Sequence, residues 1–383
     1  MLEAIVMRYE MNSDDKIYLE NFYKKLERKL SVQCDRLGSI MPYTTENGQY
    51  FDMGQRHLEA WTNGFYCGIL WQMYHATKKE KYKVNAEKIE ERLDEALTKF
   101  VHLDHDVGFQ WLHTSVANYR LTNNEKSLER SLHAANILAG RFNTQGNFIR
   151  AWNDSEKMGI TIIDCLMNLP LLHFAFKETN NYAYKHIAIS HADMALEYLI
   201  RPDGSCHHIA KFDAKTGAFI ENLGGQGYGL NSSWSRGQAW AIYGMALAYR
   251  YTKDEKYLNA AKTCAAYFLA NIALNDYIAL LDFRSPKEPK YIDTTASACA
   301  ICGLLEIAEF VPELEKSLYV ESSLKCIKAL EKYCCFDVDK DSILSYGSAR
   351  YDRSSDREVP IIYGDYFLTE GILRLLAKDF LIW

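Results

Sequence analysis

Apolar positions recur at helical spacing over long stretches of the chain. Between Gly237 and Tyr251, Trp240, Ile242, Tyr243, Met245, Leu247 and Tyr249 keep that rhythm, and the stretches from Cys67 to Tyr74 and from Leu166 to Phe176 behave alike. Each predicts a helix with a buried face. Seven prolines occur, none between Pro42 and Pro170 or between Pro202 and Pro286, so long spans lack the residue that breaks helices. A polar punctuation separates the apolar runs: Tyr74-His-Ala-Thr77-Lys-Lys-Glu80, Tyr119-Arg-Leu-Thr122-Asn-Asn-Glu125, Phe176-Lys-Glu-Thr179-Asn-Asn-Tyr182 and Tyr249-Arg-Tyr-Thr252-Lys-Asp-Glu255. Three of these contain Thr-x-x-Glu, which predicts a capping box with the threonine as cap of the new helix. Val311-Pro312-Glu313 marks a fifth helical hairpin, and a sixth is expected to end the chain at Leu368 to Leu381.

Longer segments rich in glycine and aromatic residues alternate with those tight turns: Trp61 to Phe65, His105 to Phe109, Trp152 to Asn168, Gly224 to Trp240, Tyr291 to Ser297 and Tyr363 to Tyr366. In an up-down succession of helices, alternate loops emerge at opposite ends, so all the rich segments should gather at one end. The expected fold is therefore all-α, six hairpins closed into a toroid. Twelve helices with loops of roughly 32 residues each account for the 383 residues as a single domain, 1–383.

Composition sharpens this by exclusion. Apolar residues make up 48 % and charged residues 25 %, an ordinary globular balance. The net charge is −6, and no stretch interleaves basic and stacking aromatic residues, which argues against a nucleic-acid partner. Met1-Leu2-Glu3-Ala4 opens no secretory leader, and no run of about 18 apolar residues occurs, so no membrane partner and a cytoplasmic location are expected. The ten cysteines follow no framework spacing and read as reduced thiols, with Cys299-x-x-Cys302 in an apolar flank as core packing. His102-x-x-His105 beside Asp104 and Asp106 lacks a third ligand at helical spacing, so no metal is expected.

The candidate chemistry sits where helices follow the rich loops. Asp106 and Asp164 belong to different hairpins and can meet only through tertiary folding. An aspartate at a helix start is ordinarily a cap worth roughly 1 kcal/mol. Asp164, however, lies inside the run Ile162-Ile163-Asp164-Cys165-Leu166-Met167, where a carboxylate must be paired, protonated or functional. Arg236 and Trp240, four apart at the start of a helix, suit an anion, although an ordinary ion pair over a core tryptophan fits the spacing equally.

Trp61-Thr-x-Gly-Phe65, His105-Asp106-x-Gly-Phe109, Ile163-Asp164-x-x-Met-Asn168-Leu-Pro170, Asp203-Gly-Ser205, Gln226-Gly-Tyr228, Trp234-x-Arg236-Gly-Gln-Ala-Trp240 and Gly364-Asp-Tyr-Phe367 occur in this order over nearly the whole chain. Together they resemble the unsaturated glucuronyl hydrolases of glycoside hydrolase family 88. The resemblance implies an (α/α)6 barrel without metal or cofactor, acting on oligosaccharides that carry a non-reducing-end unsaturated uronate left by polysaccharide lyases. It implies Asp164 as general acid/base, Asp106 as the second carboxylate and His208 as a catalytic-site histidine. Gln226 and Arg236 would contact the sugar and its carboxylate, Trp61, Trp152 and Trp240 would wall the site, and His105 would add a polar contact. Two departures stand out: Gly225 replaces the family's frequent histidine before Gln-Gly-Tyr, and the loop from Trp152 to Asp164 is shortened. Ser345-x-x-Ser348-x-Arg350 resembles a Ser-x-x-Ser-x-Lys segment that glycosaminoglycan-acting members use to hold sulfated sugars; a serine-rich turn is its rival.

The expected reaction is hydration of a C4=C5 vinyl ether by a carboxylic acid whose pKa burial and a neighbouring negative charge have raised. The expected substrates are chondroitin-, hyaluronan- or heparin-type disaccharides. Competing expectations are another (α/α)6 carbohydrate enzyme, such as an unsaturated rhamnogalacturonyl hydrolase or a sugar 2-epimerase, and a helical-repeat binding scaffold, which would need no buried carboxylates.

Overall fold

The computed structural model describes residues 8–383; Met1 to Ala4, read above for a leader, lie outside the described residues. Helix α1 (Ser13–Leu37) opens the fold, followed by α2 (Phe65–Thr77), α3 (Glu80–Arg92) and the short α4 (Asp94–Thr98). Helices α5 (Val107–Trp111) and α6 (Ala117–Thr122) are joined through a π-helical turn at Leu112–Val116 and act as one rod. Then come α7 (Glu125–Ala139), α8 (Leu169–Thr179), α9 (Tyr182–Tyr198), α10 (Ser235–Thr252), α11 (Glu255–Ala273), α12 (Thr294–Ala308), α13 (Glu313–Leu330) and α14 (Ile362–Leu375).

Burial sorts them into two rings. Every residue of α12 and of α14 is buried, and α2, α8 and α10 are buried over most of their length. Helices α1, α3, α7, α9, α11 and α13 bury one face each. The inner helices meet in the order α2, α5/α6, α8, α10, α12, α14, and α14 returns to α2. The fold is an (α/α)6 barrel. Its sixth hairpin differs from the expected one: Leu368 to Leu381 does not form a pair by itself. Helix α14 is the last inner helix, α1 packs outside it, and the ring closes through the two ends of the chain.

The recurring turns fall where the punctuation predicts, but by another mechanism. Thr77, Thr122, Thr179 and Thr252 each end a helix, and each hydroxyl donates to the carbonyl four residues back, at 2.6, 2.9, 2.6 and 2.7 Å. The next residues, Lys78, Asn123, Asn180 and Lys253, turn left-handed with φ of 57, 56, 53 and 59°. The cap of the following helix sits two residues beyond the threonine, where Asn124, Asn181 and Asp254 accept its first free amides. The threonine closes the old helix instead of opening the new one.

At the opposite end lie short strands the sequence did not announce. Residues Ile160–Ile162, Ile209–Phe212 and Phe219–Leu223 form an antiparallel three-stranded sheet in that order. Its register pairs Ile162 with Ile209, which sets the residues just beyond the strand ends, Asp164 and His208, side by side. Among the described residues no helix is long and apolar enough to cross a membrane.

Candidate active site

All six inner helices point their N-termini at the end where the rich loops gather. Asp106 precedes α5 and Asp164 lies in a 3₁₀ turn, Ile163–Met167, immediately before α8. Neither carboxylate makes a capping hydrogen bond, so the bland reading of each as a helix cap does not describe them. Asp164 is 9 % exposed, and its Oδ2 lies 3.4 Å from Nε2 of His208. The Gln226 amide donates to Nδ1 of His208 at 2.9 Å. Nδ1 is thereby an acceptor, and the ring proton of the neutral tautomer sits on Nε2, facing Asp164. Trp234 lies against the His208 ring, centroids 4.6 Å apart. Gly225 makes this placement available: a Cβ there would overlap the imidazole at Nδ1. The space a side chain at position 225 would fill is taken by His208.

Asp106 stands beside His105, whose Nε2 is 3.5 Å from its Oδ1. His105 is fully buried, and neither ring nitrogen has a hydrogen-bond partner within the chain. Asp104 accepts the Asp106 amide at 2.9 Å. Asp104, His105 and Asp106 bring ligand-type atoms within 4.8 Å of one another; they are the residues able to approach a cation, whereas His102 is exposed.

The two aspartates differ electrostatically, and not as the sequence suggests. Burial pushes the Asp106 carboxyl well above the ordinary range, and the charges of Asp104 and Asp164 add to it. Burial pushes Asp164 up as well, but His208, then His105 and Arg236, outweigh it and hold Asp164 below the usual value. In the free site the raised carboxyl is Asp106, and Asp164 is the anion beside His208. Burial lowers the pKa of His105.

The expected aromatic residues divide. Trp61 is half-buried and stacks on Tyr363 at 5.2 Å, at the edge of the same end. Trp152 is half-buried against Ile160, Ile162 and Ile209, the strands that carry Asp164 and His208. Trp240 is 0 % exposed between Phe109 and Phe367; it is floor packing and not a wall. Arg236 also departs from expectation. Its guanidinium, 1 % exposed, donates to Asp293 at 3.0 Å and to the carbonyls of Ser348 and Ala349. The Gln226 side chain donates to the Ala349 carbonyl at 2.8 Å, and the Gln226 carbonyl accepts the Tyr351 amide at 2.8 Å. Both residues anchor the 345–351 loop instead of reaching toward open space.

That loop corrects the sulfate expectation. The Ser348 hydroxyl is buried, donating to the Ile292 carbonyl and accepting the Glu358 amide, 2.8 and 2.9 Å. It is a loop staple: its one O–H is spent on the loop and the side chain is fully buried, so it cannot donate to a ligand. Arg350 forms a two-pronged ion pair with Asp352 at 2.5 and 2.8 Å. Ser345 stays partly exposed, its backbone tied to Tyr333 and Thr294. Sequence reasoning passed over Asn168, Trp234 and Asp293, although the first two stand inside the quoted motifs; the signal was a polar or aromatic side chain in an otherwise apolar helix entry.

Against known proteins, residues 34–368 match the model of Glycosyl Hydrolase Family 88. The chain is 34 % identical to the unsaturated glucuronyl hydrolase of Bacillus sp. (strain GL1), over 89 % of this chain and 92 % of that protein. It is 32 % identical to the unsaturated chondroitin disaccharide hydrolase of Streptococcus agalactiae serotype III (strain NEM316), over 96 % and 94 %. The crystal structure of the unsaturated glucuronyl hydrolase of Bacillus sp. GL1, described as responsible for the degradation of glycosaminoglycan, superposes with a TM-score of 0.88 at 32 % identity, covering 93 % of this chain and 96 % of that one. A match that spans the inner and outer helices alike, with the aspartates at their helix entries, makes the chain a member of Glycosyl Hydrolase Family 88.

Proposed function

We infer that this protein releases an unsaturated uronic acid from the non-reducing end of lyase-generated oligosaccharides, with glycosaminoglycan-type disaccharides as substrates. The observation that carries the reading is the constellation of Asp164, His208 and Asp106: a buried and a partly buried carboxyl group of opposite electrostatic bias, the first facing an oriented imidazole. The kinship with an unsaturated chondroitin disaccharide hydrolase and an unsaturated glucuronyl hydrolase supports the substrate class. The ten free cysteines fit a cytoplasmic location.

The substrate offers a vinyl ether, C4=C5 conjugated to the ring oxygen. A proton delivered to C4 takes the π electrons into the new C–H bond and leaves oxocarbenium character on C5 and the ring oxygen. Water adds at C5 and gives its proton back to the same group. The resulting hemiketal opens to a C5 ketone, and the hemiacetal left at C1 expels the partner sugar. Asp164 is the group we assign to that proton. In the free site it is ionised beside His208, so it takes its proton from solvent as substrate binds: an anionic uronate brought against Asp164 raises its pKa, while the Nε2–H of His208 orients the carboxyl. Asp106, whose pKa burial raises, is suited to a hydrogen bond with a sugar hydroxyl.

An assay on lyase-generated disaccharides tests the reading through loss of the enol-ether ultraviolet absorbance. Retained absorbance with every unsaturated uronate tried would return the barrel to a scaffold or an epimerase. In deuterated water one deuterium must appear at C4 of the released keto sugar; an unlabelled C4 excludes the vinyl-ether route. Asp164→Asn should lower turnover by about 10²–10⁴-fold with an unchanged helical circular dichroism spectrum.

A further inference from the structure

Asn168 occupies the cap position of α8 and does not cap it. Asparagine is among the best capping residues, and here that bond is given up. The side chain is instead fully buried and spent across the site. Its Oδ1 accepts the Phe109 amide at 2.8 Å, which fixes the amide's orientation, because the opposite flip would set two N–H groups face to face. Its Nδ2 therefore points the other way, donating to Oδ1 of Asp106 at 3.1 Å and approaching the Asp164 carbonyl at 3.4 Å. Gly108 leaves the room for this: a Cβ there would lie 2.5 Å from Asn168 Oδ1 and 2.6 Å from its Cα.

We propose that Asn168 is a positioning residue that holds Asp106 in register with Asp164 and gives it a neutral donor. The inference rests on the assignment of these two aspartates as the reacting pair. The groups facing Asp106 are Asp104 on its own loop, Asp164 from the 3₁₀ turn, His105, and Arg141 from the turn that follows α7; His208 and Arg236 face Asp164. Asn168 is the neutral side chain among them that ties the two carboxylate-bearing segments together. A donor in this place favours the ionised form of Asp106 and opposes the repulsion from Asp104 and Asp164. It also fixes the distance between the segments without adding a charge.

The experiment compares Asn168→Asp with Asn168→Ser. Serine is a residue that the helix N-cap position favours and no capping bond is lost with Asn168, so a loss of rate is not a loss of α8; the aspartate keeps the shape and replaces the donor by an acceptor. Both should lower kcat by about 10- to 100-fold with KM changed little, the size expected when a reacting group is misplaced by about 1 Å. Asn168→Asp alone should recover towards acid pH, as its new carboxyl takes a proton and donates to Asp106 again. In an Asp106→Ala background Asn168→Ser should cost less than about threefold, because the partner is gone. Equal losses in both backgrounds, or identical pH profiles for the two variants, overturn the proposal. If Asp106→Ala itself keeps wild-type turnover, the assignment of the aspartates fails instead, and the two failures are told apart.

Discussion

The barrel carries buried charge at both ends of its inner helices, in opposite arrangements. At the closed end, Glu306 is bonded by Arg250 through one oxygen and by Arg374 through the other, the latter at 2.7 Å. Glu370 takes the Tyr243 hydroxyl on one oxygen and Trp383 Nε1, at 3.0 Å, on the other. The chain's last residues lie across this end, where Arg120 donates to the carbonyls of Leu381, Ile382 and Trp383 at 2.7, 2.8 and 3.1 Å. At the open end, Asp164 Oδ2, His208 Nε2 and both nitrogens of His105 are buried with no hydrogen bond within the chain. Carboxylates with both oxygens bonded hold the helices together, even though Arg374 Nε among them has no partner; a carboxylate with an oxygen left over is poised to bond something else. Burial of a carboxylate therefore says little about its task, and the count of its partners says much.

The comparison breaks most visibly at Glu306. Glu306→Gln leaves Arg250 without its counter-charge and Arg374 with Glu370 alone, at 3.6 Å, and removing one member of a buried pair costs about 3–5 kcal/mol. Urea unfolding should show this as a lower midpoint at unchanged slope, while kcat/KM per folded molecule stays within about twofold of wild type. The pH dependence has a definite sign. Arg374 and Arg250 hold Glu306 below its usual value despite burial. Its contribution is thus full above the unfolded value of about 4.3 and is lost as pH falls through the folded one. Wild type and variant should converge only once the pH has fallen below that folded value. A variant that loses turnover but no stability would end the distinction between the two ends.

At the open end the signs reverse. Asp106 has a folded value well above its unfolded value of about 3.9. The folded state then holds a proton that the unfolded state has released, and stability falls as pH rises through that window. Asp106→Asn removes this cost. Turnover should drop by about 10²–10⁴-fold, and the melting temperature at neutral pH should rise. A dead variant that is also less stable would mean that Asp106 is held as a structural anion.

The difference between the ends also explains what could be read from the chain. The inner helices and the places of their turns were legible because apolar periodicity and the recurring threonine punctuation are local, although the capping box read into that punctuation is not what forms there. Asp164 was legible because a carboxylate in an apolar run is anomalous by itself. The sheet was not, since Ile160–Ile162 is three residues long and becomes a strand only when Ile209–Phe212 arrives from a distant segment. The closure by α1 escaped for the same reason: its partner α14 lies at the other end of the chain. Arg236 and Ser348 looked like ligand-binding residues because sequence reveals a donor but not the carbonyl or carboxylate that already occupies it.

Gly225 tests how closely the open end is fitted. A methyl group there overlaps the His208 ring and must rotate it away from Asp164. Gly225→Ala should lower kcat by about tenfold or somewhat more, and the loss should vanish in a His208→Ala background. An equal loss in both backgrounds would assign the effect to the backbone that carries Gln226 and not to the imidazole.

The smallest effect concerns the rim, where the charges are neither saturated by burial nor poised by it. Arg350 is partly exposed and paired with Asp352, and surface pairs are worth about 0–1 kcal/mol. Because Ser348 is spent inside the loop, Arg350 is the cation of the Ser345-x-x-Ser348-x-Arg350 segment that a sulfate can still meet, and Asp352 competes for it. Asp352→Ala should lower KM for a sulfated chondroitin-type disaccharide by about two- to fivefold and leave the unsulfated one unchanged, since an exposed contact freed of its rival gains at most about 1 kcal/mol. Arg350→Ala should remove that gain in the double variant, while changing little alone. Parallel changes on the two disaccharides would show that the loop acts through its fold and not through its charge.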